Sequence, residues 1–195
     1  MVTVPARILQ PPPVVYSGGA QTVKASWNLR NVRFLKGSSA RSWACVVIGD
    51  TGQSAVAICK GLQEACGRSG VKLPALQPQM IVSVRTPDES QITSYFTQLK
   101  NKGAQIILVL LPSQDKATYA LLKTVGDVKV GISTVCALMS KIRKMDPQYF
   151  GNLALKFNLK LGGKNHGLPR DRLGMLKDHP TMIVRTPLFL PLILQ

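Results

Sequence analysis

Two pairs of residues in this chain have the type and spacing to hold an anion. Tyr119 and Lys123 lie four positions apart, and so do Lys156 and Lys160. On helices each pair shares one face. Two like charges at that spacing cost an isolated helix roughly 0.2–0.5 kcal/mol. A shared anion would favour the arrangement; an ordinary solvated lysine stripe is the plainer reading of the spacing alone. A terminal phosphate brings about two negative charges and three strong acceptor oxygens. Lysine ammoniums and a tyrosine hydroxyl would give it charge-assisted hydrogen bonds of roughly 1.5–3 kcal/mol each.

The stretch that must position the first pair is Ile106–Lys123, IILVLLPSQDKATYALLK. Its apolar run ends at Pro112 and is too short for a bilayer, so it reads as a strand buried on both faces. A short polar loop follows, and a helix is predicted to begin near Asp115. Open α/β sheets bind ligands where a parallel strand feeds a loop and a helix. The unpaired N–H groups and positive dipole end of that helix make an anion the expected ligand there.

Other chemistry has little support. Gly49–Ser54 (GDTGQS) follows a strand pattern and precedes a helical one, but it matches neither nucleotide-loop fingerprint, and a plain strand-to-helix turn explains it. The nine carboxylates are scattered; only Asp88 and Glu89 adjoin, at a helix start. No two-metal cluster or G-x-S-x-G turn is present, and His166 and His179 flank a polar loop without an H-E-x-x-H pattern. The expectation is a protein that binds and does not react: not an enzyme, with no cofactor and no metal.

Composition sets the partner class. The 195 residues are 45% hydrophobic and 17% charged, a folding composition, yet 25 Lys and Arg face 9 Asp and Glu for a net charge of +16. That excess favours polyanions: nucleic acid, phosphorylated ligands or an anionic surface. Cys45, Cys59, Cys66 and Cys136 form no C-x-x-C pair, and Cys45, Cys59 and Cys136 sit in apolar patterns where a reduced thiol packs as a small hydrophobe. No N-terminal signal segment is visible, so the expected location is the reducing cytoplasm.

From residue 42 the pattern alternates strand and helix: strand Trp43–Ile48, helix Ser54–Arg68 with Val56, Ala57, Cys59, Leu62 and Cys66 inward, strand Met80–Val84, and a helix capped by Thr86 with stripe Ile92, Tyr95, Phe96 and Leu99. Strand Ile106–Leu111, helix Lys116–Val125 closed by Gly126, strand Val128–Thr134 and a helix from Asp146-Pro147 to about Leu161 complete it. This is a Rossmann-like α/β fold with a central, mostly parallel four-stranded sheet flanked by helices. Residues 1–40, with Pro-rich Leu9–Tyr16, are expected to form an extended arm anchored by Trp27 and Phe34, and residues 41–165 the main domain. In residues 166–195, Thr181–Val184 reads as the start of a buried strand. Arg185–Gln195, apolar but interrupted by Pro187 and Pro191, reads as a truncated or aberrant tail.

Pro112–Asp127 (PSQDKATYALLKTVGD) and Asn152–Asn165 (NLALKFNLKLGGKN) closely resemble the MID domain of eukaryotic Argonaute proteins, with the fungal quelling-type members most similar. The Lys-x-Asn-x-Lys-Leu-Gly-Gly-x-Asn run is the specific part; Leu9–Tyr16, Trp27–Asn31 and Gly131–Cys136 add to it. The resemblance implies a module of RNA silencing (RNA interference) that holds the 5′-monophosphate end of a small guide RNA. By the same resemblance, Tyr119 stacks on the first base and touches the phosphate, Lys123, Lys156 and Lys160 bind the phosphate, and the loop Ser113, Gln114, Asp115, Lys116, Ala117, Thr118 reads the base. Animal and plant members carry a glutamine ligand where this chain has Val135, and the hydroxyl of Thr134 beside it is the expected substitute. The loop is also one residue longer than in animal members. The segment after Gly163 resembles the start of the PIWI domain, with no catalytic aspartate after Thr181–Val184, so no slicing is expected of this chain. Implied partners are the guide RNA, the PIWI domain of the same full-length protein and silencing-complex proteins, with no membrane.

Two rivals belong to other classes. One is a Rossmann-type enzyme domain using Gly49–Ser54 for a nucleotide cofactor. The other is a protein-interaction module that docks partner peptides without RNA.

Overall fold

The computed structural model describes residues 13–21, 29, 32–49, 54–182 and 184. The main sheet contains β3 (Ala44–Ile48), β4 (Ile81–Val84), β5 (Ile106–Leu111) and β6 (Ser133–Leu138). Its order is β4-β3-β5-β6, every pair parallel. β3 and β5 are buried at every position, as strands covered on both faces must be.

Alternation along the strands divides the core. Cys45, Val47, Leu108, Leu110, Val135 and Ala137 face α1 (Ala55–Arg68), α4 (Met139–Ile142) and α5 (Pro147–Lys160). Val46, Ile107 and Val109 face α2 (Glu89–Asn101) and α3 (Lys116–Lys123). β6 ends the sheet, so α3 and α5 flank its open edge from opposite faces. Outside the sheet, β1 (Val14–Tyr16) and β2 (Gly19–Gln21) form a small antiparallel hairpin, tied to the chain beyond α5 by hydrogen bonds between Val15 and Gly167.

Several boundaries differ from the sequence expectation. The fourth strand is Ser133–Leu138, not Val128–Thr134; residues 124–130 continue α3 as a π-type turn that ends at Gly131, φ 66°. Gly126 does not close the helix. It lies under β6, where a Cβ would come 2.8 Å from Thr134 Cγ2. The α2 cap is Asp88, whose carboxylate accepts the Gln91 N–H at 2.8 Å, and not Thr86. The inner face of α1 is Ala55, Ile58, Cys59, Leu62, Ala65 and Cys66, which turns Val56 and Ala57 outward. The expected strand at Thr181–Val184 does not form at the described positions: Thr181, Met182 and Val184 belong to no strand or helix and are exposed. Leu9–Pro12, Trp27, Asp50–Gln53 and Arg185–Gln195 lie outside the described residues, while Phe34 is buried in the core. No helix among the described residues is long and apolar enough to cross a membrane.

Candidate nucleotide-end site

The sequence pairs come together at the open edge of β6. A cavity of about 460 Å³ is lined by Tyr119, Lys123 and Asp127 from α3 and its π-type turn, Thr134–Cys136 from β6, and Lys156 and Lys160 from α5. Periodicity explains the convergence. The four-residue spacing on α3 puts Leu122 and Val125 into the core and turns Tyr119 and Lys123 to the sheet edge. On α5, Phe150, Leu153, Ala154 and Phe157 pack inward, leaving Lys156 and Lys160 exposed on the other flank.

Lys123 is held most firmly. Its ammonium donates to both the carbonyl and the hydroxyl of Thr134, each at 2.8 Å, and lies 5.7 Å from the Tyr119 ring centroid. Two of its three hydrogens are thus used, leaving one for a ligand. Burial is the main cause that pushes the Lys123 pKa down, with Lys160 and Lys156 adding to it and Asp127 opposing them. Thr134 is itself fully buried, so its hydroxyl serves the cavity through Lys123 and not by direct reach. Val135, at the glutamine position of the resemblance, points into the α5-side core.

The main chain contributes as well. Thr134 O accepts from Lys123, and the Leu138 N–H donates to the Tyr149 hydroxyl oxygen at 3.2 Å. Both groups point away from β5. Strand alternation therefore turns the Cys136 N–H to the same open edge, into the cavity.

A second cavity of about 550 Å³ adjoins the first, sharing Tyr119, Cys136 and Lys156. Gln114, Asp115 and Lys116 line it, whereas Ser113, Ala117 and Thr118 line neither. Lys116, Ala117 and Thr118 are not loop but the first turn of α3. Asp115 caps that turn, accepting from the N–H groups of Ala117 (3.0 Å) and Thr118 (3.1 Å) and from the Thr118 hydroxyl at 2.5 Å. These bonds, the Thr118 hydroxyl first, hold its carboxyl below the usual carboxylate range.

That cap corrects one expectation. The N-terminus of α3 is satisfied by its own aspartate, and the cationic cavity sits beside the C-terminal half of the helix. Lysines near a helix C-terminus suit the dipole, whereas an anion there would have to be held by side chains and edge amides against it.

Sequence reading missed Cys136, Asp127, Lys141 and Tyr149, which line one cavity or both. Cys136 is half-buried: it packs against the α2- and α3-side core as its apolar pattern predicts and also lines the cavity wall; burial raises its thiol pKa and the neighbouring lysines draw it back. Its two-residue offset from Thr134 was the available signal, masked by the misplaced strand. No group of three metal-ligating side chains occurs among the described residues.

Comparison with known proteins follows the same lines. The Piwi domain family model matches residues 106–186. Protein argonaute 1D from Oryza sativa subsp. japonica is 30% identical over 201 residues, covering 94% of this chain and 19% of that protein. The Arabidopsis thaliana AGO5 MID domain is 26% identical at a TM-score of 0.59, covering 70% of this chain and 99% of that one. The N. crassa QDE-2 AGO MID domain is 26% identical at 0.52, covering 64% of this chain and 99% of that one. The chain spans about a fifth of the length of the curated relatives it matches.

Proposed function

Because the chain belongs to the Argonaute family, as part of its MID and PIWI region, we propose that it anchors the 5′-phosphorylated terminal nucleotide of a small guide RNA. The observation that carries this reading is one cavity into which α3 and α5, on opposite faces of the sheet, both send lysines. Three ammoniums within one cavity repel one another, and a dianion there relieves that repulsion.

In this reading the phosphate sits between Lys123, Lys156 and Lys160, with the Cys136 N–H and the Tyr119 hydroxyl completing its donors. Thr134 holds Lys123 in place. The first base enters the adjoining cavity and stacks on Tyr119, worth about 1–3 kcal/mol with little sequence preference. Gln114, Asp115 and Lys116 face that base, while Ser113, Ala117 and Thr118 set the backbone around it. The role is anchoring without reaction, and the rest of the full-length protein, PIWI domain included, carries the remainder of the guide.

NMR titration of the chain with uridine 5′-monophosphate and with uridine tests it. The expected result is shifts at Tyr119, Cys136 and the α5 C-terminus at much lower concentrations of the nucleotide. Equal weak binding of both would overturn the reading.

A further inference from the structure

The sheet has a second open edge, on the side away from β6, and we infer that it docks an extended acidic peptide segment of a partner protein as an added strand. β4 forms that edge and pairs with β3 alone among the described residues. The Gly49 N–H donates to Val84 O at 2.8 Å, so Val84 and, by alternation, Val82 turn their main chain towards β3. Ile81 and Ser83 therefore turn theirs outward. The Ile81 N–H donates back to Pro78 O. That leaves the Ile81 C=O and both main-chain groups of Ser83 with no main-chain partner among the described residues. Such an edge is a template for one more strand.

The side chains beside it say what that strand must carry. Ile81 and Ser83 stand level with Cys45 and Val47 in the register, and so face α1. Between them and α1 lies a groove of about 600 Å³ whose apolar wall is Val56, Ala75, Leu76, Pro78 and Ile81. Val56 is 64% exposed, apolar surface that the described residues leave uncovered. Charge there is one-sided. Lys60 lines the groove, exposed Arg85 follows β4 directly, and no carboxylate among the described residues lines it. The acidic residues next along the chain are engaged elsewhere: Asp88 accepts the Gln91 N–H, and Glu89 pairs with Lys129. A strand with an apolar residue between two carboxylates fits edge, groove and charge together. A second copy of this chain does not, because it sets Lys60 and Arg85 against their own like. An RNA strand has no amide ladder to pair with β4. The groove shares no lining residue with the guide-end cavities, so the two sites can be tested apart.

The test is NMR titration of the 195-residue chain at low salt with the blocked heptapeptide Thr-Glu-Thr-Val-Thr-Glu-Thr. Its palindromic order serves either strand direction and puts valine and both glutamates on one face. The expected result is amide shifts at Val56, Ile81 and Ser83, with binding roughly fivefold tighter than for the peptide carrying lysine at both glutamate positions. The fully N-methylated peptide should not bind. Lys60→Glu combined with Arg85→Glu, both exposed positions, should reverse the preference in favour of the lysine peptide and leave the response to uridine 5′-monophosphate as in the parent. Equal affinity for the two peptides, or binding that survives N-methylation, overturns the proposal. Shifts at Tyr119 and Cys136 in place of Ser83 also overturn it, because the carboxylates have then entered the lysine cavity. A short 5′-hydroxyl RNA that displaces the peptide and shifts Ser83 itself overturns it in favour of a nucleic-acid surface.

Discussion

Lys123 stores the site's pH response. Burial lowers its pKa, so the empty folded protein holds that proton less tightly than the unfolded chain does. The unfolded state therefore binds more protons in the window between the lowered value and the ordinary 10.5, and stability rises with pH there. Phosphate binding as proposed would have the opposite sign, because it would require the charged ammonium. Affinity for a 5′-monophosphate should rise as the phosphate gains its second charge near pH 6 and fall again on the alkaline side as Lys123 deprotonates. Lys123→Arg, charged throughout, should abolish the alkaline fall, which fluorescence titration between pH 5 and about 10 would measure. An alkaline limb unchanged by that substitution would assign the titration to another group. Thr134→Val removes the hydroxyl acceptor while keeping the shape, and should weaken phosphate binding several-fold with little change in Tm.

At the scale of elements, α3 and α5 owe their placement to a few capping and buried polar residues. Asp115 caps α3, and because its carboxyl pKa is depressed, its contribution is present above about pH 4 and is lost as pH falls through the lowered value. Asp115→Ala should lower Tm at pH 7, with the difference from the parent vanishing in acid, as thermal melts at both pH values would show. Asn158 does the corresponding work for α5. It is fully buried, its Oδ1 accepts the Ser38 N–H at 2.8 Å, and its Nδ2 donates to Lys36 O and to Asn165 Oδ1. That explains the Lys-x-Asn-x-Lys-Leu-Gly-Gly-x-Asn run. Its lysines face the cavity and its asparagines tie the helix down. Gly162 takes φ 82°, and Gly163 packs against the Asn158 amide where a Cβ would clash. Asn158→Leu should cost roughly 1–3 kcal/mol in denaturant unfolding, because Ser38 N–H and Asn165 lose a buried partner. The helix start at Asp146-Pro147 and the strand β5 were legible in the sequence, since each rests on local propensity and period, whereas the Asp115 cap was not read and the start of α3 was expected to hold an anion. The π-type turn was not. Gly126 reads locally as a helix stop, and only its packing against Thr134 shows why a residue without Cβ is needed inside the turn.

For the whole molecule, the sheet order decides what the sequence could not. Placing β6 at the edge lets helices from opposite faces meet across it, which brings Cys136, Asp127, Lys141 and Tyr149 into the site. The four-residue pairs were readable from spacing; their convergence depended on non-local strand pairing, which spacing does not encode. A net charge of +16 adds a diffuse attraction for any RNA, and that component should fall steeply with salt. The terminal-phosphate component, set in a partly enclosed cavity, should decline less. The most direct measurement is therefore the affinity ratio between 5′-phosphorylated and 5′-hydroxyl forms of one short RNA, at about physiological salt, for the parent chain and for Lys123→Ala and Lys160→Ala. Convergence on a single phosphate predicts a large ratio for the parent that collapses toward one in either variant. If both RNAs lose affinity equally, the lysines act only as part of the general positive surface, and the anchoring account is contradicted.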